Sequence, residues 1–126
     1  MNFLAVFVGG GLGSVTRYAL GLAIKRLGFM APIGTLASNV LASALLLGLI
    51  ATYSNSPDAS MKSHSWQLLL TVGFCGAFST FSTFAADTIA LFQTHGLAWS
   101  LGNIAVNVVF CVATGWWVWS SMQPVH

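Results

Sequence analysis

Charge is what this sequence has least of: 5% of its 126 residues are Asp, Glu, Lys or Arg, against about a quarter in an average soluble domain. With 56% hydrophobic residues, water would not keep such a surface in solution. The six charged side chains are Arg17, Lys25, Arg26, Asp58, Lys62 and Asp87. Four fall in or beside short polar gaps, which leaves Arg17 and Asp87 inside apolar stretches. A net charge of +2 spread this thinly excludes a nucleic-acid partner, which calls for Lys and Arg clustered on one face. Cysteine is equally scarce. Cys75 and Cys111 lie within apolar segments, without metal-ligand spacing, and are too few for a disulfide framework; they read as small apolar packing residues. The three histidines, His64, His95 and His126, stand in loops or at the tail with no nucleophile or metal partner at useful spacing, so enzyme chemistry has no support.

What the chain does have is four apolar runs of membrane-spanning length. A hydrocarbon core of about 30 Å takes roughly 20 helical residues at about 1.5 Å rise each. Runs of that length occur at about 3–24, 33–53, 66–92 and 97–120. The expectation is an all-α membrane protein, residues 1–126 forming one transmembrane domain of four helices. Lys25 to Gly28 reads as a turn, Ser54 to Ser65 as a polar connection with Asn55, Pro57, Asp58 and Lys62, and Thr94-His95-Gly96 as a tight reversal. Spans one and two, and three and four, then pair as hairpins. A signal peptide is the competing reading of span one, but Met1-Asn2 supplies no basic segment and Arg17 interrupts the run. Trp66, Trp99, Trp116, Trp117 and Trp119 lie near segment ends, as interfacial anchors do.

Cytoplasmic loops are normally enriched in Lys and Arg, yet here the two sides nearly balance. One presents Lys25 and Arg26, the other Lys62 and the N-terminal amine. A chain that inserts both ways can form an antiparallel dimer, and four helices alone enclose little room for a pathway.

Residues 73–84 read Gly-Phe-Cys-Gly-Ala-Phe-Ser-Thr-Phe-Ser-Thr-Phe, which few mid-membrane segments resemble. Glycine lowers helix propensity by about 1 kcal/mol and hydroxyls compete for neighbouring carbonyls, so the helix is expected to break around Gly76 to Ser79. In lipid, freed backbone groups cost several kcal/mol unless protein, water or an ion satisfies them. Loosened carbonyls suit a cation and the amide end of a helix suits an anion. Taken singly, each residue of the string is readily explained as helix packing; jointly, Phe78, Phe81 and Phe84 interleaved with Ser79, Thr80, Ser82 and Thr83 favour a polar pathway edged by aromatic rings.

Other intramembrane polar groups point the same way. Asn39 sits mid-span with Ser38, Ser43 and Thr35 nearby, while Asn107 and Thr114 share one face of span four with Cys111 between them. Arg17 costs at least about 2.5 kcal/mol at depth unless carbonyls, Asp87 or a cavity anion compensate it, or its stem lets the head reach the interface. Gly9 and Gly13, with Gly10 and Gly11, read as a close-packing face. They are not a phosphate loop, because no Gly-Lys-Ser/Thr follows.

Three of these motifs together resemble the small fluoride channels called Fluc or CrcB: Gly9-Gly10-Gly11-Leu12-Gly13 through Arg17-Tyr18, Gly34-Thr35-Leu36 through Asn39, and Gly73 through Phe84. The resemblance covers all four spans. It implies a passive, selective fluoride channel of the cytoplasmic (inner) membrane that confers fluoride resistance, built as a dual-topology antiparallel homodimer with two pores and a central structural sodium ion (Na+). By the same resemblance Asn39 is the pore asparagine, Phe81 and Phe84 are the paired phenylalanines whose ring edges face fluoride, and Thr80, Ser82 and Thr83 fall at its hydroxyl positions. Arg17 matches the vestibule arginine, and the Gly76 and Ser79 carbonyls match the sodium ligands. Asp87 stands where glutamate is usual, Ser38 where an aliphatic residue is common, Ala42 where glycine is common and Cys111 where a serine is expected. Thr114 is therefore the substitute candidate for the span-four polar track. The physics fits: fluoride is small and strongly hydrated, so a dry path must replace its water with amide and hydroxyl donors and the positive edges of phenyl rings. A four-span proton-coupled multidrug exporter is the alternative. Such an exporter needs a carboxylate in span one, which contains none.

Overall fold

In the computed structural model, which describes residues 2–55 and 64–123, helix α1 runs Asn2–Arg26 and α2 runs Ala31–Asn55. The third span is a composite. Helix α3, His64–Leu68, passes into π-helical turns at Leu69–Cys75, a single turn α4 at Gly76–Phe78, and helix α5 at Phe81–His95. Helix α6, Leu97–Ser121, completes the chain. All four stretches are long and apolar enough to cross a membrane, so the chain is a multi-pass membrane protein. Pro57, Asp58 and Lys62 of the expected polar connection lie outside the described residues, as does His126.

Two glycines turn the hairpins. Gly28, at φ 85°, ends α1, where its N–H donates to the Lys25 carbonyl at 3.0 Å. Gly96, at φ 87°, is the sole residue between α5 and α6 and donates to Phe92 O at 3.0 Å. Both occupy the left-handed region that a side chain disfavours, so each reversal needs its glycine.

Helix α1 packs on the π-helical segment and α4, while α2 and α5 pack on α6. The interior is built from small and polar residues: Gly9, Gly13, Gly34, Thr35, Ser38, Ala42, Gly73, Cys75, Asn107 and Gly115 are buried. Large apolar side chains such as Phe3, Phe7, Val15, Val112 and Trp116 face outward. This inverts the arrangement of a water-soluble core and is what helices solvated by lipid require, since small residues let backbones approach. The tightest contact is the one the Gly9/Gly13 spacing predicts: a methyl placed on Gly9 would overlap the Leu69 carbonyl oxygen, and one on Gly13 the Phe74 carbonyl oxygen. Gly73 meets them from the other side, its Cβ position 3.0 Å from Gly9 Cα.

A polar network at the helix break

The break in the third span is real but displaced from its expected start. Gly76 remains helical (φ −63°, ψ −34°), whereas Ser79 (φ −74°, ψ 158°) and Thr80 (φ −153°, ψ 112°) are extended. The reason is a partner far away in sequence. Asn39 of α2 lays its carboxamide against the Thr80 backbone, with Oδ1 accepting from Thr80 N at 2.8 Å and Nδ2 donating to Thr80 O at 3.5 Å. One side chain thereby serves both polar groups of an extended residue that no helix can satisfy, which the bilayer interior demands.

The break sets two unlike helix ends near each other. On the α5 side, Thr80 caps the helix, its Oγ1 accepting from Thr83 N at 3.3 Å and donating to Thr83 Oγ1 at 3.0 Å. Ser82 Oγ lies 3.4 Å from the same hydroxyl. The first N–H groups of a helix lack intrahelical partners and carry partial positive charge, so this end favours an anion. On the α4 side, the extended backbone at Ser79 deprives preceding carbonyls of their i+4 donors. Ser79 N and Ser79 Oγ both turn back to Cys75 O at 3.1 Å, and Arg17 Nε donates to Ala77 O at 3.2 Å. Of the compensations open to Arg17, a carbonyl is the one it uses here.

A cavity of about 490 Å³ opens beside the break, lined by Arg17, Lys25, Thr35, Ser38, Thr80 and Thr83 among others. Its wall is mostly apolar, with Leu22, Ile24, Phe29 and Met30 beside a guanidinium, an ammonium and a few hydroxyls, of which Thr35 and Ser38 donate to Asp87 and Gly34 O. Asp87, the one carboxylate among the described residues, accepts from Thr35 Oγ1 at 2.5 Å. A second cavity of similar size is lined by Ser43, Leu47, Cys111 and Gly115. Asn39 lies on α2 between Ser38, which lines the first cavity, and Ser43, which lines the second.

Helix α6 joins the Asn39 carboxamide to a wider polar network. Asn39 Nδ2 donates to Asn107 Oδ1 at 3.3 Å, and Asn107 Nδ2 in turn donates to Asn103 O at 3.1 Å and Asn103 Oδ1 at 3.2 Å. Asn103 Nδ2 reaches Thr88 Oγ1 at 2.8 Å. Asn103 and Thr88 are absent from the expected site, although the four-residue spacing of Asn103 and Asn107 puts both on one helix face. Thr114, the residue favoured for this track, is half-buried two turns along α6 from Asn107 and takes no part in the network. Phe81 and Phe84 pair at 5.5 Å between centroids with their planes tilted by 56°. Phe81 is 79% exposed, and neither ring lines the cavity beside Arg17. The structure thus brings Arg17, Asn39, Thr80 and Thr83 to one place and leaves Phe81 at the surface of a single chain with Phe84 half-buried beside it.

A family model described as "CrcB-like protein, Camphor Resistance (CrcB)" matches residues 4–119. The chain belongs to the CrcB family. Among relatives of this CrcB chain, a protein of Klebsiella pneumoniae (strain 342) named fluoride-specific ion channel FluC is 37% identical over 119 residues, covering 92% of this chain and 91% of that one. The same name is carried by a Serratia proteamaculans (strain 568) protein, 39% identical with 85% of this chain and 82% of the relative covered. An Escherichia coli O17:K52:H18 relative, 38% identical over 94% of this chain and 93% of its own length, also bears it.

Proposed function

We propose that this CrcB protein is a passive, selective fluoride channel of the cytoplasmic membrane, by which a cell discharges fluoride. The observation that carries the reading is the Asn39 carboxamide held on the extended Thr80 backbone. It sets an amide beside the hydroxyls of Thr80 and Thr83 in an otherwise apolar bundle, and relatives named fluoride-specific ion channels align with 92% and 85% of this chain. Fluoride enters the cavity beside Arg17, exchanges water for the hydroxyls of Thr80, Ser82 and Thr83, and passes the Asn39 amide. Chloride, larger and less able to use short donors, fits such a track poorly. Channel conduction asks for no catalytic residue. A proton-coupled multidrug exporter is not favoured, because α1 holds no carboxylate to exchange protons.

The channel is an antiparallel homodimer inserted in both orientations. The exposed Phe81 supports this, since its ring edge joins a pathway once a second copy covers that surface. The near balance of positive residues on the two sides supports dual insertion, and a C-terminal reporter that reads on both faces of the membrane is the expected result. A structural Na+ at the dimer centre fits the donors present: the break frees carbonyl oxygens around Gly76 and Ser79, and Gly76 is exposed. Carbonyl oxygens are the ligands a hard cation takes. When bound, the ion would supply a positive potential that helps an anion shed its water.

The deciding experiment is efflux from liposomes holding purified protein, run with fluoride and with chloride. Rapid fluoride loss with negligible chloride loss is expected. Intact dimeric protein that passes no fluoride overturns the reading.

A further inference from the structure

The partly buried chain of side-chain amides, with Asn107 at its buried centre, has a direction. Thr80 N–H can only donate, so the atom of Asn39 facing it is the oxygen, and Nδ2 must face α6. That obliges Asn107 to present Oδ1 to Asn39 and Nδ2 to Asn103. The far end is pinned independently. The Thr88 hydroxyl gives its proton to Phe84 O at 2.7 Å, so it offers a lone pair to Asn103, whose Nδ2 turns to it at 2.8 Å and whose Oδ1 turns to Asn107. Both ends demand the same sense. A flip of any carboxamide would set two donors or two acceptors against each other, the most costly arrangement in a low-dielectric interior.

Resting on the proposed channel reading, we infer that Asn103, anchored by Thr88, is a positioning residue for conduction: it acts through Asn107 to hold the Asn39 carboxamide in the one orientation that keeps the Thr80 backbone extended. Asn103 lines neither the cavity beside Arg17 nor the one at Cys111; the cavity of about 440 Å³ that it does line is walled mainly by apolar residues such as Leu36, Leu91 and Val106, which offer an anion no donors, so its influence on the ion is assigned to the chain of bonds. The role differs from packing, because packing depends on shape and this depends on which atom is donor. Asn103→Leu keeps the approximate size and removes both functions. Thr88→Val removes only the anchor, and Thr88→Ser retains it.

The test is fluoride efflux from liposomes for Asn103→Leu, Asn107→Leu, their combination, Thr88→Val and Thr88→Ser, each with its dimer fraction measured. Expected are about tenfold slower efflux for Asn103→Leu, a double variant no slower than Asn107→Leu alone, and a several-fold loss for Thr88→Val. Thr88→Ser should conduct as the parent does. Independent structural damage gives additive losses instead, and additivity, or full conduction in Asn103→Leu, overturns the inference. Should Asn103→Leu fail to assemble, the Thr88→Val and Thr88→Ser pair decides, equal rates in the two counting against it. A parent protein that passes no fluoride defeats the channel reading itself, a result separate from either of these.

Discussion

Asn39 and Thr80, 41 residues apart, are paired as two strands of a sheet would pair: the side chain of one imitates the backbone that the other lacks, at 2.8 Å and 3.5 Å. This contact turns a polar segment in mid-membrane from a liability into a site. It also fixes what a single-atom change should do. Asn39→Asp retains an acceptor for Thr80 N but can no longer donate to Thr80 O or Asn107, and it places a carboxylate in the anion path. Two unit charges 4 Å apart at an effective dielectric constant of about 20 repel by about 4 kcal/mol, equivalent to a rate loss on the order of a thousandfold. Liposome efflux is therefore expected to fall to near background while the protein still purifies as the parent does. Undiminished flux in Asn39→Asp would show that fluoride does not pass this amide.

Phe81 and Phe84 allow a different expectation, because they contribute ring edges and no hydrogen bond. Their tilted pair at 5.5 Å presents edges whose hydrogens carry partial positive charge. Phe81→Ile and Phe84→Ile keep apolar bulk and lose that polarity. Each should slow fluoride efflux by about tenfold or more, since an edge worth about 1.4 kcal/mol in the transition state accounts for a factor of ten. Dimer formation, followed by crosslinking in membranes, is expected to survive. Normal conduction by both variants would remove the rings from the pathway.

Span length and composition made the four-helix architecture readable, because a bilayer imposes a length on apolar runs that soluble folds do not. The close-packing role of Gly9 and Gly13 was readable for a similar reason: spacing of four on a helix is a local property. The break was readable only approximately. Glycine content pointed to Gly76, yet Gly76 keeps helical angles, since glycine permits a break without enforcing one. What pulls Ser79 and Thr80 out of the helix is Asn39, a partner that no local propensity encodes. Arg17 shows the same limit: the sequence left carbonyl, carboxylate and snorkelling open, and only the fold sets Ala77 O within 3.2 Å of its Nε. Asn103 carried a signal, its spacing from Asn107, that becomes legible once Asn39 is known to bond to α6. Thr114, the substitute candidate for the span-four track, lies two turns along α6 from Asn107 and outside this network.

The contact between α1 and the π-helical segment leads to a prediction about stability. Backbone rests on backbone at Gly9 and Gly13, so an added methyl has no flexible side chain to push aside; it meets the Leu69 and Phe74 carbonyls. Gly13→Ala should therefore force the third span away from α1 and destabilise the protein by about 1–3 kcal/mol, the usual cost of overpacking. This outweighs the gain of about 1 kcal/mol in helix propensity that alanine brings over glycine. Gly11 is the internal control, since a methyl there meets nothing within 4 Å; in Gly11→Ala only the propensity term acts on the single chain. Thermal unfolding in detergent, followed by circular dichroism, should show a lower midpoint for Gly9→Ala and Gly13→Ala and none for Gly11→Ala. Equal midpoints for Gly13→Ala and Gly11→Ala would mean that the third span does not press on α1 at this point. The displacement should also reach the site, because Arg17 lies one helical turn beyond Gly13 and holds Ala77 O: Gly13→Ala is expected to slow fluoride efflux even where it folds.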